Sequence, residues 1–485
     1  MMNPNPQMNP PLGRRTGCVL VCAALSVFVL PPLSGQEEPS EPVVFKTRLE
    51  QPETIPGSWK LMDQPYPPLK QIIAQPRTRR PVYGLYCWAS EYIKYHDFIK
   101  EVGFPNLRCS GPFNDEAFRL MVEDGIEVMH TISARIHGTF KPEAPMSDWR
   151  NRADYDSDEA FIEDFCHGIE RFLGRYGPEG SFFEDHPDLP HRPVRHIEIF
   201  NEPNFWYLDV GRHDKANRYP TPENRRETEN KRARLYGKLL VASYDRVKEQ
   251  WPEVQVVGFA AGGTSKADVG FIQKVHEFNS EVANSYDILS THPYVRPVPP
   301  ETTFVKSWGS YSIASSYDSI HSTMKRYGTE EKPVWYTELN WTILPEVGGV
   351  YELHSDPARQ RDVTPELQAA YIVRGYLLAL RLGVERVNYM SIVDTDNVNS
   401  GMIDRNNNNA WRPSAHAVDT LLEIMPFPKL VGRHTEGRDG VYGYLYSSDP
   451  EVTREGRGDV LVFWKVDGPG EMTLRWGEGV NTEVT

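Results

Sequence analysis

Two glutamates mark where chemistry can be expected in this sequence. The stretch Val194 to Trp206 reads VRHIEIFNEPNFW. Ile197, Ile199 and Phe200 supply the β-branched and aromatic bulk of a short buried strand. The apolar run stops at Asn201-Glu202-Pro203, and proline, which has no N–H for the ladder, ends the strand there. A carboxylate with an amide beside it is thus delivered at a strand's C-terminal tip. Val334 to Trp341, VWYTELNW, repeats the arrangement with Glu338. In a parallel α/β barrel those tips are where chemistry sits, and two carboxylates there are candidates for acid–base and nucleophilic work. The 136 positions from 202 to 338 leave room for about three βα units. A solvated surface charge is the plain alternative for any one glutamate. It fits this pair poorly, because each closes a run that reads as a buried strand.

The elements around these two tips alternate from Pro81 onward. Strands are expected at Val82–Trp88, Asn106–Ser110, Ile126–Ile132, the run ending at Glu202, Val254–Ala260, Asp287–Tyr294, the run ending at Glu338, and Arg386–Val393. Helices are expected at Tyr92–Val102, from Asn114 to Asp124, and at Asp158–Tyr176, Lys231–Trp251, Val269–Asn279, Tyr311–Tyr327, Pro365–Leu382 and Pro413–Met425. In Asp158–Tyr176 the residues Phe161, Phe165, Ile169 and Phe172 fall on one face. Eight alternations in about 345 residues predict an α/β fold, a (β/α)8 TIM barrel spanning 81–427. An open doubly wound sheet would advertise a glycine-rich phosphate turn after its first strand, and Tyr86-Cys87-Trp88 offers none. The polar insertion His213 to Thr228 is expected as an exposed loop over the barrel mouth that shapes access.

The chain of 485 residues carries a net charge of −14, which argues against a nucleic-acid partner. Arg14 and Arg15 precede a 13-residue apolar core, Cys18 to Leu30, too short to span a bilayer comfortably. Residues 1–35 are therefore expected to be a signal peptide, directing a secreted or periplasmic protein without a membrane span. An uncleaved anchor is the alternative. Residues 36–80, rich in Pro and charge, read as a linker or covering arm. After Pro428 the period falls to two, with strands at Val441–Tyr446, Val460–Lys465 and Met472–Trp476, so 428–485 is expected to be a small β-sandwich-like module. Beyond the signal only Cys87, Cys109 and Cys166 remain, without zinc-ligand spacing. Cys87 and Cys109 are expected on neighbouring strands without a needed disulfide, since a barrel of this size has core enough.

The runs HIEIFNEPN and VWYTELNW resemble the catalytic strands of clan A glycoside hydrolases, which are retaining β/α barrels. Within the clan the resemblance is to family 39, the β-xylosidase and α-L-iduronidase type, in the match of Asn201 to Asn204 and of Thr337 to Asn340. The resemblance covers about residues 82–425. It implies Glu202 as general acid/base, Glu338 as nucleophile, and Asn201 as the amide that bonds a sugar 2-hydroxyl. It implies Arg108 as a guanidinium orienting Glu338, with a helix-facing salt bridge as the alternative. His292 and Tyr294 match the clan's strand-six His-x-Tyr pattern, and Tyr294 would donate to Glu338 unless it is a core tyrosine. The clan also places an aromatic platform at the end of strand eight. Here that strand reads Asn388-Tyr389-Met390-Ser391-Ile392-Val393-Asp394, so Trp341, Trp206 and Trp88 are the candidates to stand in, with Trp341 counted among the substrate-binding residues.

The expectation is a hydrolase that cleaves glycosidic bonds of a polysaccharide or oligosaccharide by double displacement. Its partner would be a carbohydrate, and it would need no metal or other cofactor, since two carboxylates do the work. A non-catalytic carbohydrate-binding barrel is the alternative from another class. A metal-dependent amidohydrolase barrel would need a His-x-His on strand one, which has no histidine.

Overall fold

The computed structural model describes residues 82–133, 155–205, 224–263, 268–295, 297–306, 309–344, 362–394 and 399–438. It also describes shorter pieces at 26–29, 43–46, 59–61, 152, 208, 346–347, 350–351, 440–448, 459–466, 471–474 and 483–484. Eight parallel strands close on themselves: β1 Tyr83–Trp88, β2 Asn106–Ser110, β3 Glu127–Ile132, β4 His196–Ile199, β5 Gln255–Gly262, β6 Ile288–His292, β7 Val334–Leu339 and β8 Arg386–Tyr389. Neighbours pair in sequence order, and β8 closes onto β1 through Val387↔Tyr83, Asn388↔Gly84 and Tyr389↔Leu85. Every strand is buried on both faces, which is why the runs read as nearly continuous apolar stretches. The residues that interrupt those runs are the ones pointing inward. In β4, Ile197 and Ile199 belong to the apolar layer between strands and helices, and the alternation puts His196 and Glu198 on the other face. Cys87 and Cys109 stand directly opposite each other on β1 and β2 as buried free thiols in that outer layer.

The helices begin where side chains satisfy their first N–H groups. Asn114 accepts from Ala117 N at 2.8 Å, Ser157 from Ala160 N at 3.1 Å and Thr364 from Leu367 N at 3.3 Å. Each cap contributes about 1 kcal/mol. Gly103 and Gly383 end their helices with φ of 77° and 96°, a conformation that costs glycine nothing. Two helices differ from the sequence reading. Tyr92–Val102 is interrupted: Ala89–Lys94 and His96–Val102 meet at Tyr95, and Asp124 gathers Tyr92 Oη at 2.7 Å and Lys100 Nζ at 2.9 Å from the two pieces. Arg225–Gln250 starts six residues before the expected Lys231. Its first turns carry no apolar period and are held instead by ion pairs, Glu227–Lys231 at 2.8 Å and Glu229–Lys274 at 2.6 Å. The end of the polar insertion is therefore helical, while residues 211–223 lie outside the described residues.

The C-terminal module is an antiparallel sheet in which Pro428–Arg438, Val441–Ser448 and Asp459–Lys465 follow one another. The first of these strands escapes the sequence reading because its second half, Arg433 to Arg438, is polar and its register shifts three times. Pieces of the N-terminal arm add to sheets elsewhere. Val43–Lys46 pairs with Glu471–Leu474, and Trp59–Leu61 with Thr302–Lys306. Ser26–Val29, inside the stretch read as an export signal, pairs with Asp459–Lys465. Among the described residues no helix is long and apolar enough to cross a membrane.

Candidate active site

The backbone presents the first glutamate under strain. Phe200 and Glu202 have φ of 70° and 45°. The left-handed region costs a residue with a side chain about 1–2 kcal/mol, and such strain persists only where the surroundings hold it. Here they do: Phe200 N donates to Ile132 O at 2.7 Å and Glu202 N to Ala260 O at 3.0 Å. Asn204 bridges to the tip of β5, its amide nitrogen on Gly262 O at 2.7 Å and its oxygen accepting from Gly262 N at 3.0 Å. A Cβ on Gly262 would lie 2.3 Å from Glu202 Oε1, so the absence of a side chain there makes room for the carboxylate. β5 runs two residues past its expected end, through a bulge in which Phe259 and Ala260 take φ of 81° and 41°. That bulge brings Gly262 beside Glu202.

The second glutamate sits deeper. Glu338, the fifth residue of β7, is 6% exposed and has a donor on each oxygen. Arg108 Nη1 donates to Oε1 at 2.6 Å, and the Tyr294 hydroxyl donates to Oε2. His292 Nδ1 stands 3.1 Å from Glu202 Oε1 and 3.5 Å from Glu338 Oε2, between the two acids, while its Nε2 meets Thr337 Oγ1 at 3.1 Å. One ligand atom from each of Glu202, His292 and Glu338 falls within 4.8 Å of the others. Burial alone would push the Glu338 carboxyl up. The His292 ring, the Arg108 guanidinium and the hydrogen bonds from Tyr294 and Arg108 outweigh it and hold the group below the ordinary glutamate value. Glu338 is therefore ionised at neutral pH, at the tip of β7.

Arg108 is fully buried and spends its other donors on Asn201 Oδ1, 2.7 Å from Nη2, and on Glu198. With its oxygen committed to the guanidinium, Asn201 keeps its amide NH2 clear of any hydrogen bond among the described residues. Six of the seven residues singled out in the sequence, Arg108, Asn201, Glu202, His292, Tyr294 and Glu338, thus form one connected constellation. Arg108 is not in a helix-facing salt bridge and Tyr294 is not a core tyrosine. Trp341 is the exception and is corrected here. It is fully buried, donates Nε1–H to Val298 O at 2.9 Å, and packs against Gly375 and Tyr371 of the helix Pro365–Leu382. Two residues beyond β7 the chain has already turned outward, so its ring offers no open face.

Three further residues adjoin this constellation, Trp88, Met390 and Glu198, of which only Trp88 was singled out from the sequence, as a candidate platform. Trp88, half-buried at the tip of β1, donates Nε1–H to Tyr86 Oη at 3.1 Å, and the Tyr86 ring lies 5.1 Å from the Arg108 guanidinium carbon. Burial first and the Glu338 charge second raise the Tyr86 phenol, which keeps it protonated. Of the three candidate tryptophans, Trp206 lies outside the described residues and Trp88 is the one at the mouth. Met390 follows β8, which stops at Tyr389 rather than Val393, and the Met390–Ser391 peptide is cis. Its sulfur lies 3.2 Å from Tyr294 Oη, so a half-buried thioether borders the pair of acids where the resemblance implies an aromatic ring. The only signal for it in the sequence is its place after a strand. The third residue, Glu198, was signalled by its position: a carboxylate between two isoleucines of a buried strand has nowhere to go but inward.

Among the described residues, Glu202, His292 and Glu338 are the group whose donor atoms come close enough to share a metal ion. Both oxygens of Glu338 already accept from protein donors, one of them a cation, so an incoming ion would compete with Arg108 for the same charge.

Several solved structures are similar to the chain. They include a monomeric β-xylosidase from Caulobacter crescentus, at 15% identity over 78% of this chain and 75% of that one with a TM-score of 0.45. A GH39 enzyme from Xanthomonas axonopodis pv. citri matches at 15% identity over 79% of this chain and 75% of that one, also at 0.45. A β-glucosidase from Thermotoga maritima matches at 12% identity over 72% and 99%, at 0.43. No family model matches the chain, and no curated relative matches it. The barrel is established by its own strand order.

Proposed function

We propose that this chain is a retaining glycoside hydrolase, with Glu338 as nucleophile and Glu202 as general acid/base. The observation that carries the reading is the spacing and unequal environment of the two acids. One oxygen of each acid lies within 4.8 Å of one oxygen of the other, a close approach that favours the roughly 5–5.5 Å carboxyl spacing of retaining enzymes over the wider spacing of inverting ones. Glu338 is buried on a cation and held ionised, as a nucleophile must be. Glu202 is more open, with a side chain 13% exposed, and stands where a leaving oxygen and then a water can reach it. In the first step a Glu338 oxygen bonds to the anomeric carbon. The bond to the leaving oxygen breaks with its electron pair, and that oxygen takes the proton of Glu202. In the second step Glu202 takes a proton from water, whose oxygen displaces Glu338. Asn201, its amide directed by Arg108, is placed to hold the sugar's 2-hydroxyl. The motif resemblance supports clan A and family 39 as the setting and an oligosaccharide or polysaccharide as substrate, and the positive start and 13-residue apolar core of residues 1–35 support export as the route.

The test is a panel of aryl glycosides and polysaccharides given to the purified protein, with the first-formed anomer read by proton NMR. Retained configuration, together with a 2-deoxy-2-fluoro glycoside trapped on the peptide containing Glu338, is the expected result. Inverted product would overturn the assignment. Sugar binding without turnover on any substrate would favour the non-catalytic carbohydrate-binding barrel.

A further inference from the structure

Arg108 carries two buried carboxylates, and only one belongs to the proposed reaction. Glu198 lies inside the barrel with its side chain fully buried. Its Oε2 accepts from Arg108 Nε at 2.7 Å, lies 2.5 Å from Nη2, and accepts from Thr131 Oγ1 at 2.9 Å. Ser290 Oγ stands 2.9 Å from its Oε1. A single carboxylate, Glu338, would have been enough to neutralise Arg108. Burying a second costs several kcal/mol of desolvation unless it is fully bonded, as this one is. Holding the guanidinium in place would not require a charge either, since neutral oxygens can accept from Nε and Nη2.

We propose that Glu198 is a positioning and charge-balancing residue for Glu338, keeping Arg108 paired while the nucleophile loses its charge. The proposal rests on the reading of Glu338 as nucleophile. When Glu338 becomes an ester its negative charge is gone, and Arg108, fully enclosed, would face it as an unpaired cation. Glu198 keeps that cation paired through the intermediate. In the resting enzyme it divides the attraction of Arg108 between two anions, so that Glu338 is ionised yet not locked into an ion pair too stable to attack. The other groups facing the two carboxylates are few. Tyr236 lies near Glu198, and Tyr86, Tyr294, His292 and Glu202 surround Glu338.

The test replaces the charge and keeps the shape. In Glu198→Gln, Arg108 turns its full charge on Glu338, so the acid limb of kcat/KM should move to lower pH by about one unit. kcat/KM should fall about a hundredfold, while kcat on aryl glycosides limited by the second step falls far less, because the intermediate is destabilised as well. The pre-steady-state burst should shrink accordingly. A merely structural role gives the opposite sign: a displaced Arg108 would release Glu338, and the limb would move up. Glu198→Asp keeps the charge and should keep the limb at the wild-type pH with a smaller loss of rate, and it remains informative if the glutamine variant does not fold. The 13C-carboxyl titration of Glu338, identified by its loss in Glu338→Gln, reads the same coupling without turnover. A wild-type protein inactive on every glycoside would overturn the proposed function and leave this titration to decide the coupling. An active wild type, with the Glu338 titration unmoved or raised in Glu198→Gln, would overturn the role given to Glu198.

Discussion

Two buried arginines stand on the barrel strands, at opposite ends, and they are used differently. Arg386, the first residue of β8, lies 3.9 Å over the ring of Trp335 and pairs with Glu127, the first residue of β3. The Glu127 side chain is 35% exposed, so the cation meets an anion that still reaches water. Arg108, near the C-terminal ends, meets two anions that do not, with a third carboxylate within 4.8 Å of the second. The first arrangement closes the bottom of the barrel with an anion that water still screens. The second concentrates negative charge in a dry place, which no stability argument would choose. On the proposed reading, the contrast separates a structural cation from one that prepares a nucleophile.

The strongest way to break the comparison is to remove that nucleophile. Glu338→Ala should lose about four or more powers of ten in kcat on every substrate. It should regain turnover with inverted product when azide or formate fills the space, as read by NMR of the glycosyl azide or free sugar. The bottom of the barrel is untouched, so the thermal transition should not collapse. Activity at even a tenth of wild type would show that the charge gathered on Arg108 serves packing alone.

Removing the more open acid should divide substrates. Glu202→Ala should lose about 10²–10⁴-fold on glycosides whose leaving oxygen needs a proton. On activated aryl glycosides the first step should survive, the covalent intermediate should accumulate, and azide should give a product of retained configuration. An equal loss on both kinds of substrate would remove Glu202 from the acid role. Gly262→Ala probes the same acid without touching it. The new methyl would stand 2.3 Å from Glu202 Oε1 and 2.5 Å from the Phe205 ring, so the carboxylate must move. A displacement of this order costs about a hundredfold in kcat/KM, with the greatest loss on poor leaving groups. Unchanged rates would mean that the position of Glu202 is not set by the tip of β5.

The arginine at the site was more legible in the sequence than the ring that should face a sugar. Strand tips are fixed by local rules. Pro203 must end a strand, and alternation sends Arg108, Glu198 and Glu338 inward whatever surrounds them. On those rules the barrel and the two glutamates could be read before the structure, whereas Arg108, Asn201, His292 and Tyr294 were named through the resemblance to clan A motifs. The place of Trp341 could not be read either way, because whether a ring beyond a strand end faces the mouth or the helices depends on one or two residues of turn. That turn is decided by packing against Gly375. The same holds for Met390, placed by a β8 that ends four residues short of its apolar run. The long polar half of Pro428–Arg438 and the charged first turns of Arg225–Gln250 escaped for a different reason. The first is held by its hairpin partner Val441–Ser448 through a shifting register and the second by ion pairs, and neither carries a period.

The smallest effect on activity is expected at the other arginine. Arg386→Met keeps an unbranched apolar side chain and removes the guanidinium that lies over the Trp335 ring. Glu127, already partly exposed, can rehydrate, so the cost should be limited to about 1–3 kcal/mol, read as a lower urea midpoint at unchanged slope. kcat/KM should stay within about twofold, since no partner is shared with the upper cluster. The pH profile should not move either. Burial raises Glu338 but His292, Arg108 and Tyr294 together hold it below the ordinary glutamate value, so its acid limb lies under that value. Because its folded value is lower than its unfolded one, Glu338 stabilises the protein above the unfolded value. That contribution disappears as the pH falls through the folded one. None of the three groups that set this limb touches Arg386. If the limb shifted in Arg386→Met, the two ends of the barrel would be electrostatically one site, and the division between a structural and a preparatory arginine would fail.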